Sequence, residues 1–240
     1  MNPASVGFQC PKCVSLGRAS VRAPRTAFGA ALHPGGGNVT KALMIILGAV
    51  WLLDLVTRGL VDGLLIMSNE AVFAGQLWRL FTAALTSGGL FGMLMNLLVL
   101  WIAGRAMESE LGGWRLVTLF FAAGLGGTTL LFVLGPLYGS GFAASAAAIG
   151  LLAANSIFKY KQREDIRADI GLFVLLIMFS VLVGFQTFGW LVLIGGIVTG
   201  ALVGGVLAYA PRQNRSIVQL VGLLGVELLC LAAVTARLLY

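Results

Sequence analysis

Ser145 stands in Gly141-Phe-Ala-Ala-Ser145-Ala-Ala-Ala-Ile-Gly150, among residues almost too small to be side chains. Such company lets a second helix, or a substrate backbone, approach the hydroxyl closely. A serine hydroxyl is a poor nucleophile at neutral pH unless a base takes its proton. The chain has one histidine, His33, so the question of a base can be put sharply. A second pattern is Cys10-Pro-Lys-Cys13. It is half of a zinc knuckle, because tetrahedral Zn²⁺ wants four nitrogen or sulfur ligands. His33 is one conceivable third ligand, in a Gly/Pro-rich stretch, so zinc is expected here only if ligands from elsewhere complete the site. With three cysteines in all, no disulfide framework is expected.

The chain that must position these residues is not a soluble domain. It has 240 residues, 59% of them apolar and 10% charged, with a mean hydropathy of +0.97. Its formal charge of +7 is spread between hydrophobic runs rather than gathered into a patch. That argues against nucleic acid as a partner and for membrane topology. Residues 1–40 read as a cytosolic tail rich in Gly, Ala, Pro and basic residues. Residues 41–240 read as a seven-helix membrane domain.

Apolar runs fall at about 42–57, 84–104, 114–134, 143–159, 168–185, 187–209 and 217–238, most of them near the ~20 residues that cross a bilayer. Segment 58–83, with Arg58, Asp62, Glu70, Gln76, Trp78 and Arg79, is too polar to span and suits the membrane interface. With the N-terminus in the cytosol, thirteen of the 16 Lys and Arg residues fall inside and only Arg58, Arg79 and Arg237 outside. The bias predicts a cytosolic N-terminus and an external C-terminus. Ser145 then lies toward the outer side at the start of the fourth span, where helix N-terminal amides favour developing negative charge. Gly196, Gly200 and Gly204 on the sixth span and Ala146, Gly150 and Ala154 on the fourth make matching flat stripes. They predict backbone-close packing of these two helices. Arg105, Glu108, Glu110 and Arg115 predict an ion-paired cap at the cytosolic end of the second and third spans. Trp78 and Trp190 are expected as interface anchors. Glu227, in the middle of the last span, is expected to face the bundle and find a partner there, or to be protonated.

From Gln76 to Tyr209 the chain resembles the rhomboid family of intramembrane serine proteases and their inactive relatives. Trp78-Arg79 resembles the family's Trp-Arg in the first outer loop. Ser87-Gly-Gly-Leu-Phe-Gly-Met-Leu-Met-Asn96 resembles its His-Gly-Gly-x-x-His-x-x-x-Asn. Gly104, Glu108 and Gly112 follow its Gly-x-x-x-Glu-x-x-x-Gly, and Ala143-Ala-Ser-Ala146 stands at its Gly-x-Ser-Gly. Val192-Leu-Ile-Gly195-Gly-Ile-Val-Thr-Gly200 stands at its Ala-His-x-Gly-x-x-x-x-Gly. The resemblance implies an all-α polytopic bundle in a six-plus-one arrangement, in the plasma or inner membrane. It implies no cofactor, with membrane lipids and transmembrane segments of other proteins as partners.

The family is implied to work through a Ser–His dyad, and here the pattern departs from it. Ser145 keeps the nucleophile position, but Leu193 occupies the histidine position and a hydrocarbon cannot accept a proton. Gly92 and Ser87 replace two further histidines, which leaves Asn96 as the implied oxyanion donor. His33 and the lysines fall on the cytosolic side, across most of a ~30 Å hydrocarbon layer from Ser145. The resemblance is therefore to a catalytically degenerate bacterial rhomboid, expected to bind transmembrane segments without cutting them. The alternative is an active endopeptidase in which Ser145 uses a non-standard base.

Overall fold

The computed structural model describes residues 2–3, 8–10, 12, 15, 38–184, 188–211 and 215–239. Among them, seven helices stand at the seven apolar runs. Helix α1 is Asn38–Val56. After a connection holding three short helices, α2 (Leu60–Leu65), α3 (Asn69–Phe73) and α4 (Arg79–Thr82), comes α5, Gly89–Leu111. Then follow α6 (Gly113–Leu134), α7 (Ala144–Lys161), α8 (Arg167–Gly184), α9 (Gly189–Tyr209) and α10 (Arg215–Leu239). Among the described residues, five of these (α1, α5, α6, α9 and most of α10) are long and apolar enough to cross a membrane. The protein is a multi-pass, all-α membrane protein. Helix α7 falls outside the five for a readable reason: it is built largely of small residues, ends in Lys159 and Lys161, and is mostly buried. It gains its place from neighbouring helices rather than from lipid.

Helices α6, α7 and α9 form the centre, and the small residues explain how. A Cβ added to Gly196 would lie 2.5 Å from the Ala146 carbonyl oxygen and 2.8 Å from its Cα. One on Gly200 would lie 2.5 Å from the Cα of Gly150, and one on Gly204 2.7 Å from that of Ala154. The stripe 196/200/204 therefore meets the stripe 146/150/154 residue for residue, as their spacing predicts. Helix α6 closes the third side: Gly127 makes room for the Ala146 methyl and the Val192 carbonyl, and Gly126 for Thr199.

The outer elements are fastened by polar contacts. The Glu108 carboxylate accepts the amides of Val39 (3.0 Å) and Thr40 (2.8 Å) and the Thr40 hydroxyl (2.7 Å). A negative charge at the first turn of α1 satisfies amides that have no partner within their own helix. Where the sequence suggested a cap local to the second and third spans, Glu108 also anchors α1. Gly104 lies beside Thr40 and Gly113 beside Val39, and a side chain at either would push α1 away. The π-bulge Leu100–Gly104 shifts the phase of α5 just before this contact. At the opposite flank, Arg115 donates to Gln219 (2.9 Å) and to the Leu111 carbonyl (2.9 Å), while Gln219 donates to the Leu207 carbonyl. Near its other end α10 is held by Arg237, which donates to the Phe132 and Gly135 carbonyls at the end of α6.

The connection between α1 and α5 is folded, not extended. Arg79 donates to the carbonyls of Gly63 (2.8 Å) and Ile66 (2.9 Å) and to Gln76 (2.6 Å), and is itself buried. Strand β1 (Met67–Ser68) pairs antiparallel with β2 (Ser140–Gly141), tying this loop to the lead-in of α7. Leu60, Leu64, Leu77, Trp78 and Phe81 stay exposed, as an interfacial segment requires.

Candidate functional site

The turn carrying Ser145 is held by the chain just before α5. Ala143 donates its amide to the Ala83 carbonyl (3.0 Å) and Ala144 donates to the Thr86 carbonyl (3.3 Å). Two amides that the start of α7 would otherwise turn toward an anion are thus occupied. Thr86 also donates its hydroxyl to the Ala83 carbonyl, which keeps this acceptor ledge rigid. The Phe142 ring lies against Gly88, where an added Cβ would sit 2.9 Å from it. Val192 presses on Gly141 from the α9 side.

Within this frame Ser145 is half-buried, and its hydroxyl donates to the Phe142 carbonyl at 3.4 Å. This is a long bond within its own turn. Among the described residues no imidazole, amine or carboxylate forms a hydrogen bond with that hydroxyl. Leu193 is buried in α9, one residue beyond the Val192 contact. Asn96, also buried, donates its amide to the Ser87 hydroxyl at 3.1 Å. The structure therefore brings Asn96 and Ser87 together, and no hydrogen bond links either of them to Ser145. Gly92, on the same helix, has open space where a side chain would stand.

Cys10 is exposed, while Cys13 and His33 lie outside the described residues. Among the described residues no three His, Cys, Asp or Glu side chains gather as metal ligands would. Asp54 in α1 accepts the Asp62 amide at 2.7 Å. Burial, and then the Asp54 charge, raises the Asp62 carboxyl from 3.8 to about 6. Trp78 is exposed as an anchor should be, whereas Trp190 is half-buried in the cluster around Val192 and Leu131. Glu227 is half-buried and, among the described residues, has no hydrogen-bond or ion-pair partner, so of the two expectations the partner inside the bundle is not met, the other being a protonated carboxyl.

A family model described as "Rhomboid domain" matches residues 74–210, more than half of the chain. The chain belongs to the rhomboid family. The matched segment runs from the Arg79 loop through α5, α6 and α7 to the end of α9, and so includes every element around Ser145. Over 110 residues the chain is 31% identical to "Rhomboid protease GluP" of Bacillus subtilis (strain 168). That match covers 46% of this rhomboid chain but only 21% of the curated relative, so the chain spans about a fifth of that protein's length.

Ser145, Leu193 and Asn96 stand on the helices where the sequence pattern puts them. The Ala83 and Thr86 carbonyls that take the amides ahead of Ser145 were not legible there. Nothing in residue type marks a backbone acceptor, and the only hint was Thr86-Ser87 interrupting an apolar run. The Ser87–Asn96 bond was not legible either, because Ser87 precedes α5 while Asn96 lies inside it, and helical spacing alone does not pair them.

Proposed function

We propose that this rhomboid is a pseudoprotease that binds transmembrane segments of client proteins without hydrolysing them. The observation that carries the reading is the hydroxyl of Ser145. It donates to its own turn at Phe142, with Leu193 standing at the position of the family's histidine. Among the described residues no base bonds to this hydroxyl to take its proton, and loss of a Ser–His-type unit typically costs ~10⁴–10⁶ in rate. On the oxyanion side, Ala143 and Ala144 commit their amides to Ala83 and Thr86, and Asn96 places one of its two amide hydrogens on Ser87. What persists is the scaffold: the Arg79 loop, the Glu108 anchor and the small-residue stripes.

In this reading residues 41–240 act as one membrane unit and residues 1–40 as a cytosolic tail. The tail holds zinc through Cys10 and Cys13 only if a partner supplies further ligands. The protein sits in the plasma or inner membrane with its N-terminus cytosolic and its C-terminus outside, which the Lys/Arg distribution favours. A second reading is an active intramembrane serine endopeptidase using Ser145 and a non-standard base, favoured by the similarity to a protein named as a rhomboid protease. Co-reconstituting the chain with a helix-destabilised transmembrane substrate in vesicles distinguishes the two. The pseudoprotease retains the substrate uncut, and Ser145→Ala leaves that retention unchanged. Cleavage that disappears in Ser145→Ala supports the endopeptidase and overturns the first reading.

A further inference from the structure

Glu227 is the central residue of α10, twelve positions from either end of the helix. On this helix Leu220, Leu224, Glu227, Leu231, Val234 and Leu238 recur at alternating intervals of four and three. That is the spacing of a seam made to receive another helix. Its uncovering is graded. Val234 is 2% exposed and belongs to the cluster that α6 and α9 share, whereas Leu224 is 49% and Leu220 51% exposed. Leu231 and Glu227, between them, are half-buried. Glu227 thus stands where the seam leaves the bundle, half open to the bilayer.

No cation of this chain reaches it among the described residues. Helix α9 contains no basic residue, and the Arg115 of α6 is committed near the start of that helix to Gln219 and Leu111. The Arg237 guanidinium is held on the Phe132 and Gly135 carbonyls. A carboxyl at mid-bilayer is expensive when ionised, and when protonated it still carries an O–H that needs an acceptor. A second copy packed through the same seam would bring another Glu227 opposite the first.

We infer that the open half of the α10 seam, Leu220–Leu224–Glu227–Leu231, is a docking site for a transmembrane helix of another protein that carries Lys or Arg at mid-depth. The ammonium or guanidinium pairs with Glu227 while apolar residues of the partner cover Leu220, Leu224 and the open side of Leu231. The site is independent of Ser145 and stands or falls separately from the pseudoprotease reading.

The test uses the full chain in phosphatidylcholine/phosphatidylglycerol vesicles, with a photo-crosslinking amino acid replacing Leu224. The probes are Leu/Ala transmembrane peptides of roughly 22 residues with Lys, Leu or Glu at the centre. The Lys peptide is expected to crosslink about tenfold better than the Leu peptide, in line with polar pairing between membrane helices. Glu227→Gln is expected to abolish the difference, and Glu227→Lys to move the preference to the Glu peptide. The charge swap keeps the test meaningful if one variant perturbs α10. Equal yields for the Lys and Leu peptides, or a preference unaffected by Glu227→Gln, overturn the proposal. So does crosslinking chiefly to a second copy of the chain.

Discussion

Replacing Gly200 by alanine tests whether the core is built on backbone contact between α7 and α9. The new Cβ would stand 2.5 Å from the Gly150 Cα and closer still to the Gly150 carbonyl oxygen. Both obstacles are backbone, so no rotamer relieves them and the helices must separate. Overpacking of a well-filled core costs about 1–3 kcal/mol, and a backbone clash belongs at the upper end, about 3 kcal/mol. Gly205 supplies the control, because an added Cβ there meets nothing within 4 Å. Its replacement by alanine gains about 0.5–1 kcal/mol from reduced backbone freedom. The two variants should therefore differ by about 3–4 kcal/mol, or roughly 10 °C in midpoint at the ~2–4 °C per kcal/mol of a chain this size. Thermal unfolding of both proteins in the same detergent reads the difference. Midpoints that agree within about 2 °C would refute the packing argument.

Three further outcomes follow from the polar contacts. Glu108→Ala leaves the Val39 and Thr40 amides and the Thr40 hydroxyl without their acceptor. At about 1–3 kcal/mol per orphaned group it should destabilise by more than about 3 kcal/mol, with Glu108→Gln intermediate and faster amide exchange at residues 39–40 in both. Arg79→Lys removes the forked contact to Gly63 and Ile66, so amide exchange should rise across residues 60–66 while the α6–α9 core keeps its protection. The Asp62 carboxyl is raised from 3.8 to about 6, so the folded chain holds this proton more tightly than the unfolded one. Its stabilising contribution is full below about pH 4 and is lost as pH rises through about 6. Unfolding measured across that interval should show the slope, and Asp62→Asn should flatten it.

How much of this could be read beforehand depends on what each feature is made of. Apolar runs marked out where the seven helices fall, five of them, among the described residues, apolar enough for lipid to select them, and the glycine and alanine stripes announced the α7–α9 contact because only small residues permit it. Glu108, by contrast, looked like part of a local ion cluster, and only the fold reveals the amides of α1 beside it. Likewise the Ala143–Ala83 and Ala144–Thr86 bonds join backbone groups that every residue possesses, some sixty positions apart in the chain. The state of Ser145 was legible in part. Leu193 could be seen in place of a histidine, but not that the hydroxyl would turn to Phe142.

The pseudoprotease reading requires that nothing beside Ser145 take its proton. Incubating the purified chain with a serine-directed fluorophosphonate probe, beside Ser145→Ala, measures this directly, since only an activated hydroxyl is phosphonylated at a useful rate. No labelling above that of Ser145→Ala is expected. Stoichiometric modification of Ser145 would contradict the reading.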